Sequence, residues 1–148
     1  MNLKAISPVI ATVIIVSVAI AIAVAVAFWM TGITGLFTRY EKLEIVSAYV
    51  AEKTTNHWKI VVKASNKGTS KATIDMVFVN GVPVDESYDE PGANEDGWSV
   101  VGSKTLDPGD TVEIHVYLDL NKYSSGQIVE IKLHTASGQE YPKSVQLP

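Results

Sequence analysis

The sequence contains no cysteine, only three histidines and only three phenylalanines among its 148 residues. Without cysteine there is no disulfide framework, no thiolate metal site and no cysteine nucleophile. The formal net charge is −4, and no segment carries a run of lysine or arginine that would hold a nucleic-acid backbone. Nucleic acid is therefore not expected as a primary partner.

Recognisable catalytic patterns are also missing. The histidines, His57, His115 and His134, form no close pair and no HExxH-like string. The sequence has no GxSxG elbow and no glycine-rich loop of the kind that cradles a phosphate. A single histidine on a strand is far more often a surface or hydrogen-bonded structural residue than a metal ligand. We therefore expect a protein that is not an enzyme and that needs no cofactor.

The one candidate for a cation site is an acidic segment in the second half of the chain. Its carboxylates are oxygen ligands of the type that Ca²⁺ accepts, but their spacing is not that of an EF-hand. Acidic surface loops are commonly just solvated, so we expect no bound metal and keep the segment as a weak candidate. Its carboxylates belong to Asp85, Glu86, Asp89, Glu90, Glu95 and Asp96.

A long uncharged stretch dominates the N-terminal part of the chain. No residue between Lys4 and Arg39 carries a formal charge, and a helix of that length would extend about 50 Å, against ~30 Å for the hydrocarbon core of a bilayer. Within Val9–Met30 only Thr12 and Ser17 are polar, and the Val, Ile and Phe residues contribute roughly −4 to −7 kcal/mol toward insertion. The stretch is longer than the apolar core of a secretory signal peptide. We expect it to enter lipid, with the N-terminus inside.

The same stretch has features of a helix that packs against other helices. Pro8 is tolerated in a first helical turn, so the helix is expected to begin near Ser7. Gly32 and Gly35 indicate either a hinge or a helix end. Small side chains lie on every side, which lets neighbouring helices approach closely. The residues expected at helix–helix contacts are Ile10, Ile14, Ala19, Ala21, Ala23, Ala25, Ala27 and Phe28.

After Arg39 the apolar residues alternate with period two, which is typical of strands. Asn80-Gly81 predicts a two-residue hairpin turn, because both positions need a positive φ. Asp85–Gly97 is predicted as the longest loop. The expected fold class is α+β, a long N-terminal hydrophobic α-helix followed by an antiparallel, immunoglobulin-like β-sandwich. Strand-like runs begin at Leu43 and cover Trp58–Ala64, Ala72–Val79, Trp98–Val101, Thr111–Leu118 and Ile128–His134.

The string KAISPVIAT at Lys4–Thr12, followed by the Val/Ile/Ala run, resembles the N-terminus of archaeal type IV pilins. These pilins belong to the class III signal peptide superfamily and are related to archaellins. The resemblance implies that a prepilin peptidase cuts between Ala5 and Ile6, with Lys4 as the basic residue of the cleavage site. It also implies a homopolymer of identical subunits, built by the pilus assembly machinery from subunits inserted in the membrane beforehand.

The resulting expectation is a structural subunit of an archaeal type IV adhesion pilus, displayed at the cell surface as an extracellular filament. The expected organisation is a leader at 1–5, a helix at 6–39 that serves first as membrane anchor and then as filament core, and a head domain at 40–148. Two alternatives stay open. One is a single-pass, membrane-anchored extracellular binding domain, and the other is an archaellin of a swimming filament.

Overall fold

The computed structural model describes residues 7–37, 39–87 and 95–148 of the chain. The chain forms two compact units, Met1–Arg39 and Tyr40–Pro148, and we describe each one by itself. The second unit is called the β-domain below.

The described part of the first unit contains one long helix, α1, Pro8–Phe37. The helix begins where the sequence predicts, because the carbonyl of Ser7 accepts the first helical hydrogen bond from the amide of Ala11 at 3.1 Å. At about 1.5 Å per residue α1 is roughly 45 Å long. Neither its first turn nor its last turn carries a charged residue. Within the described residues it is the one helix whose length and composition suit a membrane span, over Pro8–Gly35.

The β-domain is built from short, alternating strands, as the period-two pattern predicts. Its described residues form β1 Leu43–Lys53, β2 His57–Asn66, β3 Ala72–Val79, β4 Val82–Glu86, β5 Gly97–Val101, β6 Thr105–Leu106, β7 Thr111–Asp119, β8 Ile128–Thr135 and β9 Glu140–Gln146.

The strands lie in the order β1-β2-β7-β5-β4-β3-β8-β9, with the short β6 paired to β3. Neighbours pair antiparallel, except that β4 and β5 are parallel. The ladder between β1 and β2 runs from Leu43 opposite Asn66 to Lys53 opposite Trp58 and is interrupted by two bulges. The predicted fold class, a hydrophobic helix followed by an antiparallel β-sandwich, is confirmed.

The core lies between the inward faces of the strands. On β2 the inward side chains alternate with outward ones that include Lys59 and Lys63. Because every second residue of a strand faces the same way, one strand contributes a whole row to the core. The fully buried side chains of greatest volume include Trp98, Ile60, Ile74, Leu106, Ile114 and Leu118.

Two local predictions have different outcomes. The Asn80-Gly81 turn is confirmed, since Asn80 has a φ of 49° and Gly81 a φ of 81° between the paired strands β3 and β4. The bounds of the longest loop were too wide: Asp85 and Glu86 belong to β4 and Gly97 begins β5. Parallel pairing of Asp85 with Gly97 and of Glu86 with Trp98 draws both ends of that segment into the sheet.

Candidate membrane and assembly surface

The helix α1 presents apolar side chains in all directions. Its large hydrophobic residues are exposed from Val9, at 69%, to Met30, at 61%. A helix that is apolar all round is stable only where lipid or other protein replaces water around it. Transfer of such side chains out of water is favourable by about 25 cal/mol per Å² of apolar surface removed from water. The surface of α1 is therefore the strongest candidate for a functional surface in the first unit.

The few polar side chains of α1 do not interrupt this surface. The hydroxyls of Thr12, Ser17, Thr31 and Thr34 each donate to a backbone carbonyl three or four residues earlier, at 2.7–2.8 Å. A hydroxyl that is bonded to its own helix carries little cost in an apolar medium. These four residues are therefore compatible with lipid.

The length of α1 exceeds one bilayer crossing. From Pro8 to Trp29 the helix rises about 32 Å, which matches the ~30 Å hydrocarbon core. Tryptophan is enriched at the membrane–water interface, where its amphipathic ring is stable. The helix continues from Met30 to Phe37 for another ~11 Å, so its last two turns extend past the position that Trp29 marks.

The residues predicted at helix–helix contacts all lie on α1, and all of them are exposed. Gly32 and Gly35 also lie inside α1, which passes through both and ends at Phe37. Neither glycine ends the helix, and the hinge stays a prediction. The predicted cleavage site at Lys4, Ala5 and Ile6 lies outside the described residues.

In the β-domain, the segment that receives the chain from α1 is held by backbone hydrogen bonds. The carbonyl of Tyr40 accepts from the amides of Thr69 at 2.9 Å and Ser70 at 3.2 Å, and the amide of Tyr40 donates to the Thr69 hydroxyl at 3.1 Å. The carbonyl of Lys42 accepts from the amide of Lys67 at 2.7 Å. These bonds extend the pairing of β1 with β2 beyond the first residue of β1.

The turn that holds this segment depends on Asn66 and Gly68. Asn66 is fully buried, and its side-chain amide donates to the carbonyls of Ser70 at 2.8 Å and Leu106 at 3.1 Å while its oxygen accepts from the amide of Gly68 at 2.9 Å. A Cβ added at Gly68 would lie 2.5 Å from the carbonyl oxygen of Tyr40. Our sequence reasoning did not single out this site, although Asn-Lys-Gly after an apolar strand is a turn signal.

Two described carboxylates of the acidic segment, Glu86 and Asp96, form ion pairs. Glu86 pairs with Lys104, and Asp96 pairs with Lys122 at 3.0 Å. The hydrogen bond from Lys122 to Asp96 raises the pKa of that lysine. Asp89 and Glu90 lie outside the described residues. Among the residues that the structure describes, no three potential ligands of the His, Cys, Asp or Glu type come together as a metal site.

The three histidines form hydrogen bonds with three different residues. His57 is buried, and its Nε2 donates to the carbonyl of Glu95 at 2.9 Å. His115 Nε2 bonds to Glu113 at 3.0 Å, and Lys63 pairs with the same carboxylate at 3.3 Å. The hydrogen bonds from His115 and then Lys63 lower the pKa of Glu113.

The third histidine, His134, lies on the outer face of β8. Its Nδ1 bonds to a carboxylate oxygen of Asp75 at 2.6 Å, and its ring meets that of Phe78 edge-on. Each of the three histidines thus bonds to a protein oxygen, and the rings of His57 and His115 both meet that of Tyr117 edge-on.

No protein-family model matches the sequence, and no curated protein matches it significantly. Among solved structures, the chain is similar to the archaellum periplasmic stator protein FlaG from Sulfolobus acidocaldarius, with 26% identity and a TM-score of 0.53. That match covers 71% of this chain and 99% of the FlaG chain. A structure of the archaellum periplasmic stator protein complex of FlaF and FlaG from the same organism matches with 25% identity and a TM-score of 0.49, over 69% of this chain and 86% of that one.

The part of this chain that matches FlaG, 71%, is about as long as the β-domain, because Tyr40–Pro148 makes up about three quarters of the chain. It runs over nearly the whole FlaG chain in that structure. The fold is therefore one that occurs in an archaeal, archaellum-related protein. The resemblance to type IV pilins rests on the N-terminal string, and the structural likeness supports it at the level of archaeal surface filaments and not for pilins specifically.

Proposed function

We propose that this chain is a membrane-anchored component of an archaeal surface filament apparatus, of the same kind as the archaellum stator protein. In this proposal α1 lies in the cytoplasmic membrane and the β-domain lies outside it. The observation that carries the proposal is the likeness of this chain to FlaG over 99% of the FlaG structure. The proposal assigns no catalytic role to the chain.

The helix supports the anchoring role. Its exposed surface is apolar on every side, its four described hydroxyl groups are bonded internally, and Pro8–Trp29 has the length of a hydrocarbon core. An arginine at the centre of such a helix costs about 3 kcal/mol on an insertion scale. The anchoring role therefore depends on keeping the middle of α1 free of charge.

Deletion and complementation in the source cells test the proposal. Cells without the chain are expected to lose filaments or to carry filaments that are poorly attached, as seen by electron microscopy. The full chain is expected to restore them, and so is Ile20→Leu, which preserves the apolar character of α1. The matched variant Ile20→Arg is expected to fail, because the charge prevents anchoring. Normal, attached filaments in deletion cells would overturn the proposal.

A second candidate function is the structural subunit of an archaeal type IV adhesion pilus, as the resemblance at Lys4–Thr12 implies. It is favoured by a specific feature of α1: small side chains such as Ala19, Ala23 and Ala27 lie exposed between large apolar ones, which suits close packing with copies of the same helix. This candidate requires cleavage between Ala5 and Ile6 by a prepilin peptidase and makes the chain the main protein of a filament. The abundance of the chain in isolated filaments separates the two candidates.

A further inference from the structure

The first and last strands of the β-domain run in the same direction at the two ends of the strand order. Following the pairings from β1 to β9, both strands start at the end of the domain where Tyr40 enters and finish at the opposite end. We call these the entry end and the far end. The entry end includes the start of β1 at Leu43 and of β9 at Glu140, and the far end includes Lys53 and Gln146.

The far end is tied together across the domain. The segment after β7 contacts the start of β2, because Leu120 N donates to the carbonyl of Asn56 at 3.0 Å and the indole of Trp58 donates to the carbonyl of Tyr123 at 3.2 Å. The same segment reaches the end of β9, where Gly126 N donates to the carbonyl of Leu147 at 2.9 Å. A force applied at the far end is therefore shared by β2, β7 and β9.

At the entry end, a force on the chain passes directly into β1. The hydrogen bonds of Tyr40 and Lys42 to the turn at Lys67–Ser70 continue the β1–β2 ladder up to the point where the chain enters. Ladder hydrogen bonds lie perpendicular to antiparallel strands. A pull along β1 toward the entry end therefore loads these bonds sideways and all at once, and they do not open one after another.

We propose that the β-domain is a force-bearing link, loaded along its strands between the entry end and the far end. The β1–β2 ladder, from Leu43–Asn66 to Lys53–Trp58, resists this load in shear, and for an attachment on β9 the β8–β9 ladder does the same. The proposal rests on the function proposed above, since it is the helix held in the membrane that applies the load at Tyr40. It adds a mechanical role that follows from the strand geometry.

Single-molecule pulling on the purified full chain in detergent tests the proposal. The chain has no cysteine, so two introduced cysteines provide unique attachment points. The pair Arg39→Cys with Gln146→Cys pulls from the entry end to the far end. The matched pair Arg39→Cys with Lys67→Cys pulls at the entry end alone and peels β1 from β2 one bond at a time. Melting curves check that both variants are folded.

The first geometry is expected to unfold at a force about twofold higher, or more, because its ladder bonds must break together. An equal or lower force than in the peeling geometry would overturn the proposal. If Lys67→Cys lowers the melting temperature, the exposed Lys71→Cys replaces it with the same expectation. Because the measurement needs no filament, its failure is distinct from failure of the deletion experiment, which tests the proposed function itself.

Discussion

The amide of Lys67 donates to the carbonyl of Lys42 over 2.7 Å, and this bond joins the segment that follows the helix to the turn that follows β2. The two residues lie opposite each other just beyond the first registered pair, Leu43 with Asn66. The hydrogen bonds of the β-domain therefore begin within a few residues of the end of α1 in the sequence.

Gly68→Ala is expected to destabilise the β-domain by about 1–3 kcal/mol, because the new methyl group overlaps its neighbours. Its Cβ would lie 2.5 Å from the Tyr40 oxygen and 2.7 Å from the Lys42 nitrogen, both of which are backbone atoms. Urea unfolding of the full chain measures the effect. Gly32→Ala is the control, because beyond the neighbouring backbone of its own helix nothing lies within 4 Å of its added Cβ. Equal stability of the two variants would show that the close approach at Gly68 is unimportant.

Asn80→Ala is expected to cost about 1–2 kcal/mol, because a residue with a Cβ is strained at a positive φ. The change also removes the hydrogen bond from the amide of Glu130 to the Asn80 side chain, at 3.0 Å. The matched variant Asn80→Gly keeps the turn conformation and loses only that bond. We expect the free energy of unfolding of Asn80→Gly, measured with urea, to lie between that of the original chain and that of Asn80→Ala. The reverse order of the two variants would contradict the backbone argument.

Glu113→Gln is expected to make the stability less dependent on pH in the acid range. Hydrogen bonds from His115 and Lys63 lower the pKa of Glu113 in the folded state. Its ionisation therefore favours folding above the pKa of the unfolded chain, about 4.3, and this contribution is lost as the pH falls through the folded pKa. Denaturant midpoints at pH 7 and pH 3 measure the effect. The denaturant midpoints of the original chain and Glu113→Gln should differ more at pH 7 than at pH 3. The same difference at both pH values would refute a lowered pKa of Glu113 in the folded state.

If the chain is a pilin, the second candidate, Ala23→Leu is expected to leave membrane insertion intact while altering filament formation. Leucine is at least as favourable as alanine in lipid, but its bulk separates helices that meet at a small residue. Carbonate extraction measures insertion, and electron microscopy of complemented cells measures filaments. Ile22→Leu, which keeps the volume, is the control. Normal filaments with Ala23→Leu would mean that close approach of helices at this position is unnecessary.

The alternation of apolar residues was sufficient to predict most strands, because a strand with one buried face has an apolar residue at every second position. Ala72–Val79 coincides with β3, and the hairpin at Asn80-Gly81 followed from its need for positive φ. Strand β9 was not among the predicted runs, since its residues, EYPKSVQ, include Pro142 and show no regular alternation of apolar side chains. Proline is tolerated there because β9 is at the end of the strand order and pairs only with β8.

The candidate sites were predictable to different degrees. The apolar surface of α1 follows directly from composition, since nearly all of the described side chains of this helix are exposed. The contact of Tyr40 with Thr69 joins residues that lie 29 positions apart, and no local pattern encodes it. The ion pairs of the acidic segment were equally unpredictable, since Glu86 and Asp96 pair with Lys104 and Lys122, which lie in connecting segments 18 and 26 positions further along the chain.

The most direct test of the central claim compares washed membranes with sheared, purified filaments from the source cells, using quantitative mass spectrometry of this chain. We predict that nearly all of the chain is recovered in the membranes, where only detergent releases it, and that filaments contain it only in trace amounts. If the chain is instead the main protein of the filaments, and its measured mass corresponds to a chain that starts at Ile6, the result would contradict the anchored role and establish the pilin alternative.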